Sequence, residues 1–296
     1  MAVMAGHNDR WARWLLDVRH GGDVAFREQM LTESLYPWRD EILDKAQLKP
    51  GDTLLDVGAG DGLVGFGALD RLGTQGHVIF SDISPDLLDH CRTAAAAEGL
   101  VGQCSFVQAS ADSLTAFTDA SADVVTTRSV LIYVRDKAAA LREFYRVLKP
   151  GGRVSLCEPI NRLMADQPGW FSGYDTRPVA ALARKVFAVF EAIQPPDSDP
   201  MLDFDERDLI RHAENAGFPE IGLDLRWNRK PIKRPCSWDT FLRSSGNPLI
   251  PPLSEVMDQV LTASEAAAFT AVLKPLVESG QGQDQMALAY LTAVKT

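Results

Sequence analysis

Asp56, the glycines at 58, 60 and 62, and Asp82 are the residues whose types and spacing could do chemistry. They lie in LLDVGAGDGLVGFGAL (residues 54–69) and at the end of VIFSD. An apolar strand ending at Asp56, a tight glycine loop and a following helix make a βαβ entry. Glycines let the backbone approach a ligand, and an acid closing the next strand accepts ribose hydroxyls, so the unit suits an adenosine-bearing molecule. Gly60, Gly62 and Gly65 formally satisfy GxGxxG, and Asp82 stands 20 residues beyond Gly62, as in a nicotinamide dinucleotide site. The tighter run Asp56, Gly58, Gly60, Gly62 points to another adenosine-bearing cofactor, and the loop alone leaves both readings open.

The elements that must position these residues follow from periodicity. Strands are expected at Thr53–Val57, His77–Ser81, Cys104–Gln108, Ala122–Thr127 and Arg153–Cys157, with helices over 63–72, Pro85–Glu98 and Lys137–Leu148. Ser84 is placed to cap the second helix, and Gly151 or Gly152 of LKPGG to end the third in a left-handed cap. Such alternation means a doubly wound, mostly parallel α/β sheet with helices on both faces. A helix over Asp205–Ala216 and strands at Glu220–Arg226 and Gln285–Val294 bring the count to seven strands, the last read as antiparallel.

Residues 1–49 read as a helical cap. Trp11, Trp14, Leu15 and Val18 recur at i, i+3, i+4, i+7, and a second helical stretch from about Val24 to Leu48 is interrupted near Pro37. Residues 50–160 form the expected nucleoside-binding core, and 161–296 the rest of the sheet with cap insertions at about 161–203 and 231–283. The insertions carry Trp170, Phe171, Tyr174, Phe187, Phe190, Trp238 and Phe241, which suit either an apolar acceptor pocket or the cap's own packing.

Composition narrows the partners. A hydrophobic content of 46% with 24% charged residues is that of an ordinary soluble globular chain. The net charge of -10 provides no broad cationic field, so a nucleic-acid partner is not expected; the basic run RWNRKPIKR (226–234) reads as a solvated strand end. The four cysteines show no paired or metal-ligand spacing, and no metal is expected. No leader pattern and no long apolar run is read, so a cytoplasmic location without a membrane partner is expected.

Four ordered segments resemble the class I S-adenosylmethionine-dependent methyltransferases: DVGAGDG with Asp82, SFVQASADSL (105–114), SADVVTTRSVLIYV (121–134) and LREFYRVLKPGGRVSLCEP (141–159). The similarity covers roughly residues 50–160 and is nearest the small-molecule group containing the ubiquinone/menaquinone-biosynthesis methyltransferases. It implies S-adenosylmethionine as cofactor and a small, partly apolar metabolite as methyl acceptor at oxygen, nitrogen or carbon. It further implies that the backbone of Gly58, Ala59, Gly60 and Gly62 passes under the adenosyl and methionyl groups. Asp56 would organise the loop or receive the methionyl ammonium, and Asp82 would take the ribose hydroxyls. Ile83 would stack on adenine, Ser110, Ala111 and Asp112 would border its edge, and the Arg128 main chain would flank the methionyl group. The family often has an acid where Ser110 stands, so Ser110 or Asp112 must take over that contact.

Methyl transfer is an in-line displacement on an already activated donor, so alignment and exclusion of water dominate. A base is needed only if the acceptor must lose a proton, and no catalytic residue is legible. Tyr36, Tyr133 and Glu158 are acceptor-pocket candidates, with His20 also within reach of the strand ends.

Overall fold

The computed structural model describes residues 9–164, 169–232 and 234–296. Most of the leading segment read for a targeting signal (1–8), four residues of the first insertion (165–168) and Lys233 of the basic run lie outside the described residues.

Seven strands form one sheet: β1 (Thr53–Val57), β2 (His77–Asp82), β3 (Cys104–Gln108), β4 (Ala122–Arg128), β5 (Leu148–Pro159), β8 (Glu220–Pro231) and β9 (Gln283–Val294). Two short strands, β6 (Trp170–Phe171) and β7 (Tyr174–Asp175), make a separate hairpin. The sheet order is β3-β2-β1-β4-β5-β9-β8. The first five strands pair in parallel, and β9 pairs antiparallel with both β5 and β8; the helices between β8 and β9 (Trp238–Arg243, Leu253–Val260 and Ala263–Ser279) pack in a separate core. The chain reverses direction of winding between β1 and β4, and the carboxyl ends there open a crevice for a ligand.

Helices Leu63–Leu72 and Pro85–Ala97 cover one face of the sheet with Val64, Ala68, Leu72, Leu88, Cys91 and Ala95. Helices Lys137–Val147 and Glu206–Ala216 cover the other with Leu141, Phe144, Leu209 and Ala213. Asp205 caps the last of these in a reciprocal box with Asp208, and Gly217 ends it in the left-handed conformation.

The structure differs from expectation at several boundaries. The 137–147 helix stops at an extended Leu148 rather than at a glycine cap. Gly151 does adopt positive φ (+76°), but inside an excursion of β5 between the pairs Ala122↔Leu148 and Val124↔Arg153. Pro37 does not interrupt its helix: Val24–Met30 runs through a π-helical turn, Leu31–Leu35, into Tyr36–Lys45, where Pro37 occupies the first turn. The Trp11 stripe is a three-residue α-helix followed by a π-helical Arg13–Val18. The basic run is a solvated edge, with Arg226 paired to Glu41 and Arg234 near Glu33 and Asp284.

The insertion aromatics settle mostly on each other. Phe171, Tyr174 and Trp238 are buried with Val186, Met257 and Phe269, and Phe187, Phe190 and Phe241 pack against them, in a core of their own. Phe171 lies 5.3 Å from Phe187 and Tyr174 5.6 Å from Phe241, ring centre to ring centre. These residues hold the cap together, and none of them lines the main cavity.

Candidate functional site

A cavity of about 640 Å³ opens at the carboxyl ends of β1, β2 and β4. Asp56, Gly58, Ala59, Gly60, Asp82, Ile83, Ser110, Ala111, Asp112, Arg128 and Tyr133 all face it, so the structure brings most of the expected site together.

Asp56 ends β1 almost fully buried. One carboxylate oxygen accepts the Gly65 amide at 2.9 Å and the other the Thr126 hydroxyl at 3.0 Å. It thereby ties β1 to β4 and caps the first turn of helix 63–72. Burial pushes its pKa up to about 7 despite these bonds. Asp82, also buried, accepts the Gly60 amide through one oxygen and the Ser84 amide through the other, both at 2.9 Å. Burial raises its pKa as well, and nearby Asp9 adds to the rise.

The loop has no room for a side chain at its first glycine. A Cβ on Gly58 (φ +66°) would stand 2.2 Å from Val130 Cγ2. Gly62 lies outside the cavity wall: it starts helix 63–72 at φ +84°, and a Cβ there would meet Phe66 at 2.4 Å. Its contribution is to the turn, which the sequence reading merged with ligand contact.

On the far side of the loop Ile83 is 44% exposed, an unusual state for isoleucine beside a core, and it borders the cavity. The Ser110 hydroxyl donates to the Asp112 carboxylate, which joins the two side chains at the cavity surface.

The acceptor-side candidates separate. Tyr133 faces the cavity, its ring 5.0 Å from Trp11 in an edge-on contact, and burial raises its pKa, so the phenol keeps its proton at neutral pH. Tyr36 is instead exposed, beneath the Arg39 guanidinium at 4.5 Å, away from the cavity. His20 is buried outside the cavity wall, its pKa lowered to about 4 by burial and then by Arg19.

Glu158 is fully buried behind the wall. Its carboxylate accepts the amides of Val130 (3.0 Å) and Ile132 (3.3 Å), holding the turn after β4. That turn contains Ser129 at φ +55°, a backbone state rare for serine, on the cavity surface. Glu158 therefore positions the wall and does not face a ligand.

Glu158 also supplies a pH dependence. Its pKa rises from 4.5 to about 7, chiefly by burial, so the folded state binds the proton more tightly than the unfolded chain. The associated stability is present in full below about pH 4.5 and is lost as pH rises through about 7. The loss is on the order of 3 kcal/mol. Denaturant unfolding of wild type and Glu158→Gln between pH 5 and 8 should show a shallower fall in the variant, with the Asp56 share remaining. Superimposable slopes would remove Glu158 as a source.

Sequence reasoning missed the cavity's other wall. Trp11, Trp14, Leu15 and Arg19 from the N-terminal arm, Met164 and Met201 from the first insertion, Gly246 from the second, and Met286 and Leu288 of β9 line it. The arm is pinned at both ends: Asp9 accepts the Ser84 hydroxyl at 2.6 Å, and Trp14 Nε1 donates to the Ser245 carbonyl at 2.9 Å. The apolar stripe signalled a buried face, but nothing local signalled which surface it would meet.

This sheet order, with a crevice over a glycine loop at the switch point, is that of a Rossmann-like α/β domain. The model of the ubiE/COQ5 methyltransferase family matches residues 30–174, about half of the chain. The ubiquinone/menaquinone biosynthesis C-methyltransferase UbiE of Xanthomonas campestris pv. campestris is 40% identical over 134 residues, which are 45% of this chain and 51% of that protein. The chain thus spans about half the length of the curated relatives it matches. Among solved structures, the YcgJ protein of Bacillus subtilis superposes with TM-score 0.53 at 17% identity, covering 87% of this chain and 97% of that one. Geranyl diphosphate methyltransferase in complex with S-adenosylmethionine superposes with TM-score 0.52 at 17% identity, covering 96% and 94%. These likenesses bear on the fold.

Proposed function

We propose that this chain transfers the methyl group of S-adenosylmethionine to a small, partly apolar organic molecule. The observation that favours this donor over a dinucleotide is the Asp56 carboxylate at the start of helix 63–72. A dinucleotide fold reserves that helix end for its pyrophosphate. Here a buried acid already takes the Gly65 amide, and Asp61 adds a second acid on the cavity wall, so a pyrophosphate would be repelled.

The residues present fit the donor. The floor between Gly58 and Gly60 is main chain, and a Cβ at Gly58 would collide with the opposite wall. Asp82 takes the ribose hydroxyls, Ile83 covers a face of the adenine, and the Ser110–Asp112 pair with Ala111 borders its edge. Asp56 orders the loop, and Gly58, Gly60 and Arg128 would hold the methionyl group. When bound, the donor supplies an activated methyl group on a sulfonium.

The chain's own work is alignment and exclusion of water. Trp11, Trp14, Leu15, Met164, Met201 and Met286 give the mouth of the cavity an apolar surface suited to a small organic acceptor. Tyr133 keeps its proton and serves as a hydrogen-bond donor to that acceptor. The name of the relatives favours carbon over oxygen or nitrogen as the atom methylated. The family match ends at residue 174, however, and the later residues Met201, Gly246, Met286 and Leu288 that also wall the cavity lie beyond it.

The division into an N-terminal cap (1–49), a donor-binding core (50–160) and a remainder with insertions (161–296) belongs to the same reading. So does a reducing cytoplasmic setting, which four free thiols suit. Among the described residues no helix is long and apolar enough to cross a membrane. The acidic net charge favours a metabolite over nucleic acid as partner.

Calorimetric titration with S-adenosylhomocysteine and NAD tests the choice of cofactor. Micromolar binding of the first and none of the second is expected; binding of NAD alone would end the proposal.

A further inference from the structure

Two guanidiniums line the cavity, near the charges of Asp61, Asp56 and Glu158 but in direct salt-bridge contact with none of them. Arg128 ends β4, half-buried, on the cavity surface. Arg19 reaches the same cavity from the N-terminal arm. Its amide donates to the Trp14 carbonyl at 2.7 Å, and its guanidinium lies 5.2 Å from the centre of the Trp14 ring. Trp14 is itself held by Ser245, so Arg19 is presented by a fixed support.

Neither guanidinium forms a salt bridge among the described residues. The acids whose charges reach them make their hydrogen bonds and ion pairs with other groups. Asp61 pairs with Arg27 at 3.6 Å, Asp56 is bound to Gly65 and Thr126, and Glu158 is bound to the turn after β4. Arg19 is half-buried. Burial, and next the charge of Arg128, bring its pKa down to about 10, so it stays charged at neutral pH while repelling its neighbour. Two partly desolvated like charges on one wall are costly unless an anion joins them. Guanidinium forks match a carboxylate in a planar, two-bond geometry.

We propose that Arg19 and Arg128 form a carboxylate subsite of this cavity. The inference rests on the donor reading above and extends it to a residue of the arm. The carboxylate has two sources: the amino-acid end of the donor, or an acidic acceptor lying beyond it.

Calorimetry on the full chain distinguishes them. Wild type, Arg19→Met and Arg128→Met are titrated with S-adenosylhomocysteine, which has the carboxylate, and with methylthioadenosine, which lacks the amino-acid end. A loss of tenfold or more for S-adenosylhomocysteine in both variants, with methylthioadenosine within twofold of wild type, assigns the subsite to the donor. The retained methylthioadenosine binding also shows that the variants are folded. If S-adenosylhomocysteine is unaffected, decanoate is titrated into the S-adenosylhomocysteine-loaded proteins. Binding to wild type that falls tenfold or more in both variants assigns the subsite to the acceptor. Equal changes for both nucleosides, or no change with any of the three probes, overturns the inference while leaving the donor reading intact. Failure of wild type to bind either nucleoside overturns both.

Discussion

Gly58→Ala is expected to lower affinity for S-adenosylhomocysteine by roughly 100-fold. Gly58 holds φ at +66°, and an added Cβ would sit 2.2 Å from Val130 Cγ2. The left-handed backbone alone costs about 1–2 kcal/mol for a residue with a side chain. Forcing an extra carbon against a packed neighbour costs about 1–3 kcal/mol more. The loop can escape only by moving, and the surface it moves is the floor of the cavity, so the cost appears in binding. Gly51→Ala is the control: its φ is +88°, no atom stands within 4 Å of an added Cβ, and it lies before β1. That variant should lose stability through its backbone but bind the nucleoside as wild type does. Equal affinity in Gly58→Ala would show that the glycine loop does not touch the ligand.

The second large effect is expected at Asp82. Asp82→Ala removes the acceptor for the ribose hydroxyls and also frees the Gly60 and Ser84 amides that its two oxygens hold at 2.9 Å. Loss of charge-assisted bonds should weaken binding by about 1–3 kcal/mol. Asp82→Asn separates the two roles, because the amide oxygen can keep one amide while the negative charge is gone. An intermediate loss is expected by the same calorimetry. Affinity unchanged in both variants would place the ribose elsewhere.

Where the signal was local in the chain, it was legible. The spacing of Asp56, Gly58 and Gly60 fixes a strand end and a tight turn within a few residues, and Asp82 closes the next parallel strand in register, Val57 opposite Ser81. The antiparallel β9 fits a sequence in which nothing demanded that the last strand run parallel. Gly62 and Glu158 show the limit of such reading. Both sit at the right strand or helix end, yet Gly62 points toward Phe66 and Glu158 toward amides of the turn behind the wall. A one-dimensional motif does not say which way a side chain faces once a turn is closed.

The acceptor side was hidden for a different reason. Trp14 meets Ser245 across 231 residues of chain, and Asp9 meets Ser84 across 75. No spacing rule anticipates such contacts. The aromatic insertions drew attention as a pocket because they are rich in rings, but rings bury best against rings, and Phe171 and Phe269 found each other instead. Arg19 carried no motif at all. Its interest appears only when the fold places it on the same wall as Arg128.

Transfer of a labelled methyl group is the most direct test of the central claim. The full chain is incubated with S-adenosylmethionine carrying an isotopic methyl label and a cell metabolite extract, and products are read by mass spectrometry. Label is expected in a small organic molecule together with formation of S-adenosylhomocysteine, both strongly reduced at limiting donor in Gly58→Ala and Asp82→Ala. Tight binding of the donor with no labelled product from any extract would contradict it and leave a nucleoside-binding protein without transferase activity.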